Sequence, residues 1–484
     1  MNFRLLSFFL GKLCNTCAAS LCVPFLLALF LSEDSALAFL GTIIVGASLG
    51  FLFIKYSESE DIDITYREGV AIVGFGWLVI TFLGSLPYVF TGVLDPVSAF
   101  FESVSGFTTT GATAIAQIEI LPRSLLLWRS LTHWIGGIGI IVVFIALLPQ
   151  IGSGAVHMFN AEVTGPTAER VLPRIKTTAI ALCKIYAAVT IVEMVMLYLA
   201  GMTAFEAVNH SFSTIATGGF STYDTSVVHF KSPLIEAIIA FFMMLAGGNF
   251  ALYYMVGEKG LSVLWRDTEF KVYIAIIIVS TLAIALNLYF NNFFDETNAL
   301  RHSVFQVASI ISTTGFVSND FDIWPPFSKL CLILLMFIGG CAGSTAGAIK
   351  VSRVVILVKM AFAHLKRTIH PSMVVDISIS GKTVPNPVIA GIARFFFLYI
   401  IIFAFLAFLM AMTGLTVVDS IGIIAATISS VGPALGVAGA TCTYADITPF
   451  GKIVVCLAML LGRLELFTLL VLLRPEFWRS TRNW

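Results

Sequence analysis

The chain has 484 residues, of which 58% are hydrophobic and 12% charged, with a mean hydropathy of +0.96. A soluble domain carries roughly 25% charged residues, so this charge cannot coat a soluble protein of such length. The balance of 28 Lys and Arg against 28 Asp and Glu leaves no basic field for nucleic acid, and long unbroken apolar runs exclude a barrel, a disordered chain and a secreted disulfide scaffold. The expected class is an all-α polytopic protein of the lipid bilayer.

Ten segments reach the apolar length that spans a bilayer: roughly 5–31, 36–54, 67–91, 124–148, 178–201, 234–256, 271–290, 327–360, 387–413 and 450–473. The first follows Met1-Asn-Phe-Arg4, contains Lys12 and lacks a small-residue cleavage site, so it reads as a retained helix rather than a signal peptide. Cys14 and Cys17 make a lone C-x-x-C inside it, with no second pair or His cluster nearby, and read as small apolar residues. Residues 1–60 form an N-terminal two-span hairpin. An even number of spans puts both termini on one side. Of the 28 basic residues, 21 fall at that side's ends, 6 at the other, and Arg463 inside a span. The positive-inside rule then predicts cytoplasmic termini. The acidic stretch Ser57–Asp63 also falls inside, without conflict, because the rule counts Lys and Arg only.

After the third, fifth, seventh and ninth spans comes an apolar stretch too short to cross. Three carry helix-start signals: Asp95-Pro96, Thr203-Ala-Phe-Glu206 and Thr416-Val-Val-Asp419. The four stretches end in Ser105-Gly-Phe-Thr-Thr-Thr-Gly111, Ser213-Thr-Ile-Ala-Thr-Gly218, Ile311-Ser-Thr-Thr-Gly315 and Ile428-Ser-Ser-Val-Gly432, with last glycines 107, 97 and 117 residues apart. This is a fourfold parallel repeat of span, short helix, glycine turn and span, placed at 61–150, 151–258, 259–370 and 371–484. A half-length helix entering from the outer face brings its C-terminal partial negative charge to the membrane centre, which suits a cation.

Non-helical backbone at membrane depth is tolerated only where it is buried in protein or lines a watery path. Thr109, Thr110 and Gly111, Ala216, Thr217 and Gly218, Thr313, Thr314 and Gly315, and Ser430, Val431 and Gly432 are small or uncharged. A ring of their carbonyls without a carboxylate ring suits a weakly hydrated monovalent cation. The competing reading is that such clusters only let helices pack closely; four in register after four short helices argue against it.

The eighth span is longer than a bilayer requires and holds Gly339-Gly-Cys-Ala-Gly-Ser-Thr-Ala-Gly347. Each glycine costs a helix about 1 kcal/mol, so an unwound loop beneath the ring is expected, with Gly339, Gly340, Gly343, Ser344, Thr345 and Gly347 as gating candidates. The alternative is a G-x-x-x-G helix crossing at Gly343 and Gly347. Arg463 is the deepest basic residue. It reads as a positive barrier in the path below the ring, or else as half of a structural ion pair, for which Glu465, two residues on, is poorly placed. Glu102, Glu193, Glu206, Glu236, Asp419 and Glu465 are expected to pack or cap, and Trp77, His133, Trp134 and Trp324 to pack or anchor. With no catalytic Ser/His/Asp set, zinc spacing or dinucleotide fingerprint, neither an enzyme nor an organic cofactor is expected.

Four span–short helix–span units with one glycine each resemble the Trk/Ktr/HKT superfamily of potassium transporters and channels, over nearly the whole chain. The N-terminal hairpin, Gly152-Ser-Gly-Ala155, Gly165-Pro166 and Ala440-Thr-Cys-Thr-Tyr444 resemble its bacterial TrkH/TrkG branch more than the shorter KtrB branch. The resemblance implies K⁺ as the transported ion, coordinated by carbonyls of Thr109–Gly111, Ala216–Gly218, Thr313–Gly315 and Ser430–Gly432, with Ala216 and Val431 in place of hydroxylated residues. It implies a gate at 339–347 and Arg463 in the path below the filter. It also implies residence in a bacterial inner membrane, a homodimer, and a cytoplasmic RCK-type nucleotide-binding regulatory subunit of the TrkA kind. A Na⁺- or H⁺-coupled carrier of another cation or a small solute is the alternative, disfavoured because such carriers often use inverted repeats. A structural scaffold would explain none of the four clusters.

Overall fold

A computed structural model describes residues 1–57, 66–139, 175–373, 375–464 and 466–478. Gly152–Ala155, Gly165-Pro166, Glu465 and most of the acidic stretch lie outside them. Helices α1 (Phe3–Phe30) and α2 (Ser35–Tyr56) form the N-terminal hairpin. They cross closely, since a methyl group on Gly11 would fall 2.8 Å from the carbonyl oxygen of Gly50.

A long helix, a short helix and a second helix then recur four times. The first set is α3 (Tyr66–Phe90), α4 (Pro96–Phe107) and α5 (Arg123–Gly137). The second is α6 (Ile175–Leu199), α7 (Ala204–Ile215) and the bent pair α8 (Pro233–Ala246) and α9 (Phe250–Lys259). After the short α10 (Ser262–Arg266), the third is α11 (Thr268–Phe290), α12 (Glu296–Ile311), α13 (Pro326–Ile338) and α14 (Val351–Ile369). A small antiparallel hairpin, β1 (Ser378–Ile379) and β2 (Lys382–Thr383), leads to the fourth. That set is α15 (Asn386–Ala411), α16 (Val417–Ile428), α17 (Pro449–Arg463) and α18 (Phe467–Leu472), followed by α19 (Pro475–Trp478).

Six of these helices, α1, α2, α3, α6, α11 and α15, are long and apolar enough to cross a membrane. The structure breaks two expected spans besides the eighth. The expected span 234–256 bends by 90° between α8 and α9, at Gly247-Gly248, where two adjacent glycines weaken the helix. The span 450–473 stops at Arg463 and restarts at Phe467, with Leu466 between at φ 38°. The span 327–360 is interrupted as expected, and 124–148 is described only to Gly139.

The start signals act as read. Asp95 accepts from the N–H groups of Val97 and Ser98 ahead of Pro96. Thr203 and Glu206 make a reciprocal capping box, and Thr416 accepts from the Asp419 N–H. Asp295 precedes α12 and accepts instead from the side chains of Thr297 and Asn298. Each short helix packs on the second helix of the preceding set: α7 on α5, α12 on α8, α16 on α13. The contact of α4 with α17 closes the circle.

Candidate functional site

The four short helices end alike. Each has a cap residue (Thr108, Ala216, Ser312 or Ser429) and then a left-handed residue: Thr109 at φ 53°, Thr217 at 55°, Thr313 at 59° and Ser430 at 56°. Two residues later comes a left-handed glycine: Gly111 at 79°, Gly219 at 80°, Gly315 at 83° and Gly432 at 92°. β-branched side chains resist this region, at a cost of order 1–3 kcal/mol each. Its recurrence at one position in four turns marks a constraint stronger than local preference.

This geometry corrects the reading of the second cluster. Its left-handed residues are Thr217 and Gly219, so the turn runs Thr217–Gly219 and not Ala216–Gly218. Ala216 corresponds to Thr108, and Gly218 to Thr110, Thr314 and Val431. The adjacent glycines at 218 and 219 made the register ambiguous in sequence. In space, cap position decides it.

The turns touch in cyclic order. A methyl group on Gly111 would fall 2.1 Å from the Gly218 carbonyl oxygen, on Gly219 2.1 Å from that of Thr314, on Gly315 2.0 Å from that of Val431, and on Gly432 2.4 Å from that of Thr110. Each glycine is therefore obligatory twice, for its φ and for the backbone beside it. A cavity of about 60 Å³ is lined by all four glycines together with Thr113, Ser221, Cys442 and Tyr444. Tyr444 fixes the fourth turn by donating its hydroxyl to the Gly432 carbonyl at 2.7 Å. In the sequence it stood only as part of a resemblance.

A fully buried ion pair braces the turns from behind. Arg129 Nε donates to Glu102 Oε1 at 2.8 Å, and its Nη1 donates to the Ser221 carbonyl at 3.0 Å. Glu102 also accepts from the Ala114 N–H at 2.8 Å. Burying both charges is tolerable because each is paired and hydrogen-bonded. On the far side of the ring, Arg301 forks onto Glu236 at 2.6 and 2.7 Å. Outside the spans, Asp322 accepts from the Gly436 N–H at 2.8 Å. Burial holds its carboxyl above the ordinary range, and that hydrogen bond opposes the shift.

Residues 339–350 form an irregular segment between α13 and α14, with left-handed Gly339, Gly343, Ala348 and Lys350. It is not the straight G-x-x-x-G crossing. Gly347 N–H donates to Thr313 Oγ1 at 2.8 Å, and a methyl group on Gly347 would fall 2.4 Å from the Ser429 carbonyl oxygen. The segment thus lies against the third and fourth turns. Cys341 N–H donates to the Gly247 carbonyl at 2.8 Å, and Thr345 Oγ1 to the Ile215 carbonyl at 3.1 Å. Ser344 Oγ donates within the segment to the Cys341 carbonyl, while a methyl group on Gly340 would fall 2.6 Å from the Gly247 carbonyl oxygen.

Arg463, at the end of α17, joins this segment to the first set of helices. Its Nη1 donates to the Thr345 carbonyl at 2.9 Å, and its Nη2 to the carbonyls of Gly136 at 2.6 Å and Gly137 at 3.3 Å. The loop segment, the guanidinium and the turns form one connected assembly.

The TrkH family model, described as "Cation transport protein", matches residues 32–480. The chain is 38% identical to the Trk system potassium uptake protein TrkH of Salmonella typhimurium, covering 99% of this chain and 100% of that one. It is 31% identical to the Trk system potassium uptake protein TrkG of Escherichia coli, covering 99% of each. The crystal structure of the potassium transporter TrkH from Vibrio parahaemolyticus superposes with a TM-score of 0.90 at 35% identity, over 99% of this chain and 100% of that one. With a matched model across nearly its whole length and relatives this similar end to end, the chain belongs to the TrkH family of cation transport proteins.

Proposed function

We propose that this protein takes up K⁺ across a bacterial inner membrane through a filter formed by Thr109–Gly111, Thr217–Gly219, Thr313–Gly315 and Ser430–Gly432. The observation that carries the reading is the closed circle of four left-handed turns, each glycine against the next turn's carbonyl. Carbonyls replace the hydration shell of a monovalent cation, and the C-terminal ends of four short helices add partial negative charge. Gly339–Gly347 obstructs the inner side as a gate, and Arg463 places a positive charge on the same path.

The relatives named as Trk system potassium uptake proteins support K⁺ as cargo. The basic residues support cytoplasmic termini. A homodimer regulated by an RCK-type nucleotide-binding subunit fits a membrane chain with no nucleotide-binding fold among its described residues. The test is K⁺ and Rb⁺ uptake in cells lacking other K⁺ uptake, with reversal potentials of the purified protein in bilayers. Serine at Gly111, Gly219, Gly315 or Gly432 is expected to lower the K⁺ over Na⁺ permeability ratio while the protein still inserts. Unchanged ratios in all four variants would remove the filter assignment. Uptake of an organic solute driven by Na⁺ would favour the carrier reading.

A further inference from the structure

In three of the four turns a side-chain hydrogen bond holds either the residue before the glycine or the glycine's own carbonyl; the second turn's Thr217 Oγ1 reaches only back to the Ala216 carbonyl. In the first, Thr110 Oγ1 bonds Thr108 Oγ1 at 2.8 Å. In the third, Thr314 Oγ1 bonds Ser312 Oγ at 2.7 Å. In the fourth, Val431 cannot make such a bond, and Tyr444 holds the next carbonyl instead. The second turn has Ala216 and Gly218 at the two bonding positions, so it lacks both partners. What stands there is His133 of α5.

The imidazole of His133 is fully buried and occupies the space that a side chain at 218 would take. A methyl group on Gly218 would fall 2.3 Å from its Cδ2 and 2.4 Å from its Cγ. The ring is held on two further sides. Its Nδ1 lies 2.7 Å from the Gly106 carbonyl oxygen, which can only accept, so Nδ1 carries the proton. Its face stacks on Phe220 with centroids 4.0 Å apart and planes 21° from parallel. Phe220 in turn lies under the Arg129 guanidinium, 4.1 Å from its ring centroid. His133 therefore grips the turn on both sides of Gly219, while the Gly218 carbonyl rests against Gly111.

We infer that His133 is a specificity-determining positioning residue: its imidazole stands in for the side chain that Gly218 lacks and sets where the Gly218 carbonyl points. This rests on the filter reading above. The inference makes His133 and Gly218 an exchangeable pair. Threonine at 218, the residue of the first and third turns at this position, needs the ring's volume. Removing the ring leaves the turn unsupported, and doing both restores a turn of the Thr110 kind.

The test is the K⁺ over Na⁺ permeability ratio of the full-length protein in planar bilayers, for Gly218→Thr, His133→Ala and the double variant. Each single change is expected to lower the ratio by at least about two-fold, the lower bound for coupled residues in contact. The double variant is expected to recover beyond the product of the two losses. A double variant equal to that product, or a wild-type ratio in His133→Ala, overturns the inference. If His133→Ala gives no protein, His133→Gln vacates the ring while keeping a donor for Gly106. Gly218→Thr must then be better tolerated in that background than alone, and equal loss overturns the inference. Gly432→Ser, in the fourth turn, which touches the first and third turns rather than the second, separates the two claims. If it shifts the ratio while the His133 pair shows no coupling, only this inference falls; if it and the other three glycine variants all leave the ratio unchanged, the filter reading itself is lost.

Discussion

Arg463 sits where the 339–350 segment meets the first set of helices, and its chemistry decides how they are joined. A planar guanidinium offers donors in a rigid fork and serves carbonyls on both sides at once, while a lysine ammonium is a point charge on a flexible stem. Here the fork spans Thr345 on one side and Gly136 and Gly137 on the other. Arg463→Ala is expected to raise K⁺ flux by roughly ten-fold, the scale of one lost charge-assisted hydrogen bond. Arg463→Lys keeps the charge and loses the span, so its flux should fall between the two. Rb⁺ uptake normalised to inserted protein measures this. A lysine variant equal to wild type would assign the effect to charge alone, and loss of protein without gain in flux would make Arg463 purely structural. The residue was legible in sequence because a charge at that depth demands a reason. Its partners were not, since they are backbone carbonyls, which no residue type marks. Glu206 caps its helix as expected, while the Asp419 carboxylate accepts from the Thr416 hydroxyl and the Val437 N–H. Glu102 and Glu236 find arginines from other elements, a pairing that only tertiary structure creates. His133, read as packing, does pack, but against the turn that matters.

The segment between α13 and α14 holds its shape through hydrogen bonds to its flanks. Glu269, near the start of α11, uses a single oxygen to accept from the Ala342 N–H at 2.7 Å and the Ser352 N–H at 2.9 Å. Ala342 lies in the segment and Ser352 in the first turn of α14, so one carboxylate oxygen ties the segment to the helix that follows it. Glu269→Gln retains an amide oxygen that can accept both bonds, and basal K⁺ flux is expected to stay near wild type. Glu269→Ala removes the acceptor and leaves two N–H groups to find other partners, at about 1–3 kcal/mol for a buried group left unsatisfied. Basal flux is expected to rise, as it should on deleting several residues of 339–347. Equal flux in well-folded alanine and deletion variants would show that the segment does not obstruct the path. The broken helix was legible here because four glycines fall in nine residues. The bend at Gly247-Gly248 was hidden inside an unbroken apolar run. The break after Arg463 has no glycine at its turning residue, Leu466. It follows instead from a close crossing, since a methyl group on Gly462 would fall 2.0 Å from the Ile428 carbonyl oxygen, and from the bonds of Arg463. Apolar length finds where a chain crosses; it does not record where a crossing is interrupted.

At the scale of the molecule, the four short helices and their turns meet in a circle of contacts; the near-constant spacing of the glycine turns pointed to a repeat, and the contacts supply the closure. What spacing could not supply was the register of the second turn or which face of the circle meets the outside. Orientation rests on the distribution of Lys and Arg, and the chain carries a built-in probe of it. Cys442 is the exposed cysteine of the eight, while the others are buried or half-buried. It lines the same cavity as Gly111, Gly219, Gly315 and Gly432, in the connection between α16 and α17, which the positive-inside assignment places outside. A membrane-impermeant maleimide added to intact spheroplasts is therefore expected to label Cys442, and Cys442→Ser should abolish the labelling. An adduct beside a cavity of about 60 Å³ fills it, so Rb⁺ uptake should fall with the extent of labelling, and the serine variant should be protected. Labelling only after permeabilisation would invert the orientation. Full labelling without loss of uptake would show that ions do not enter through this cavity, and would separate the circle of turns from the path of the ion.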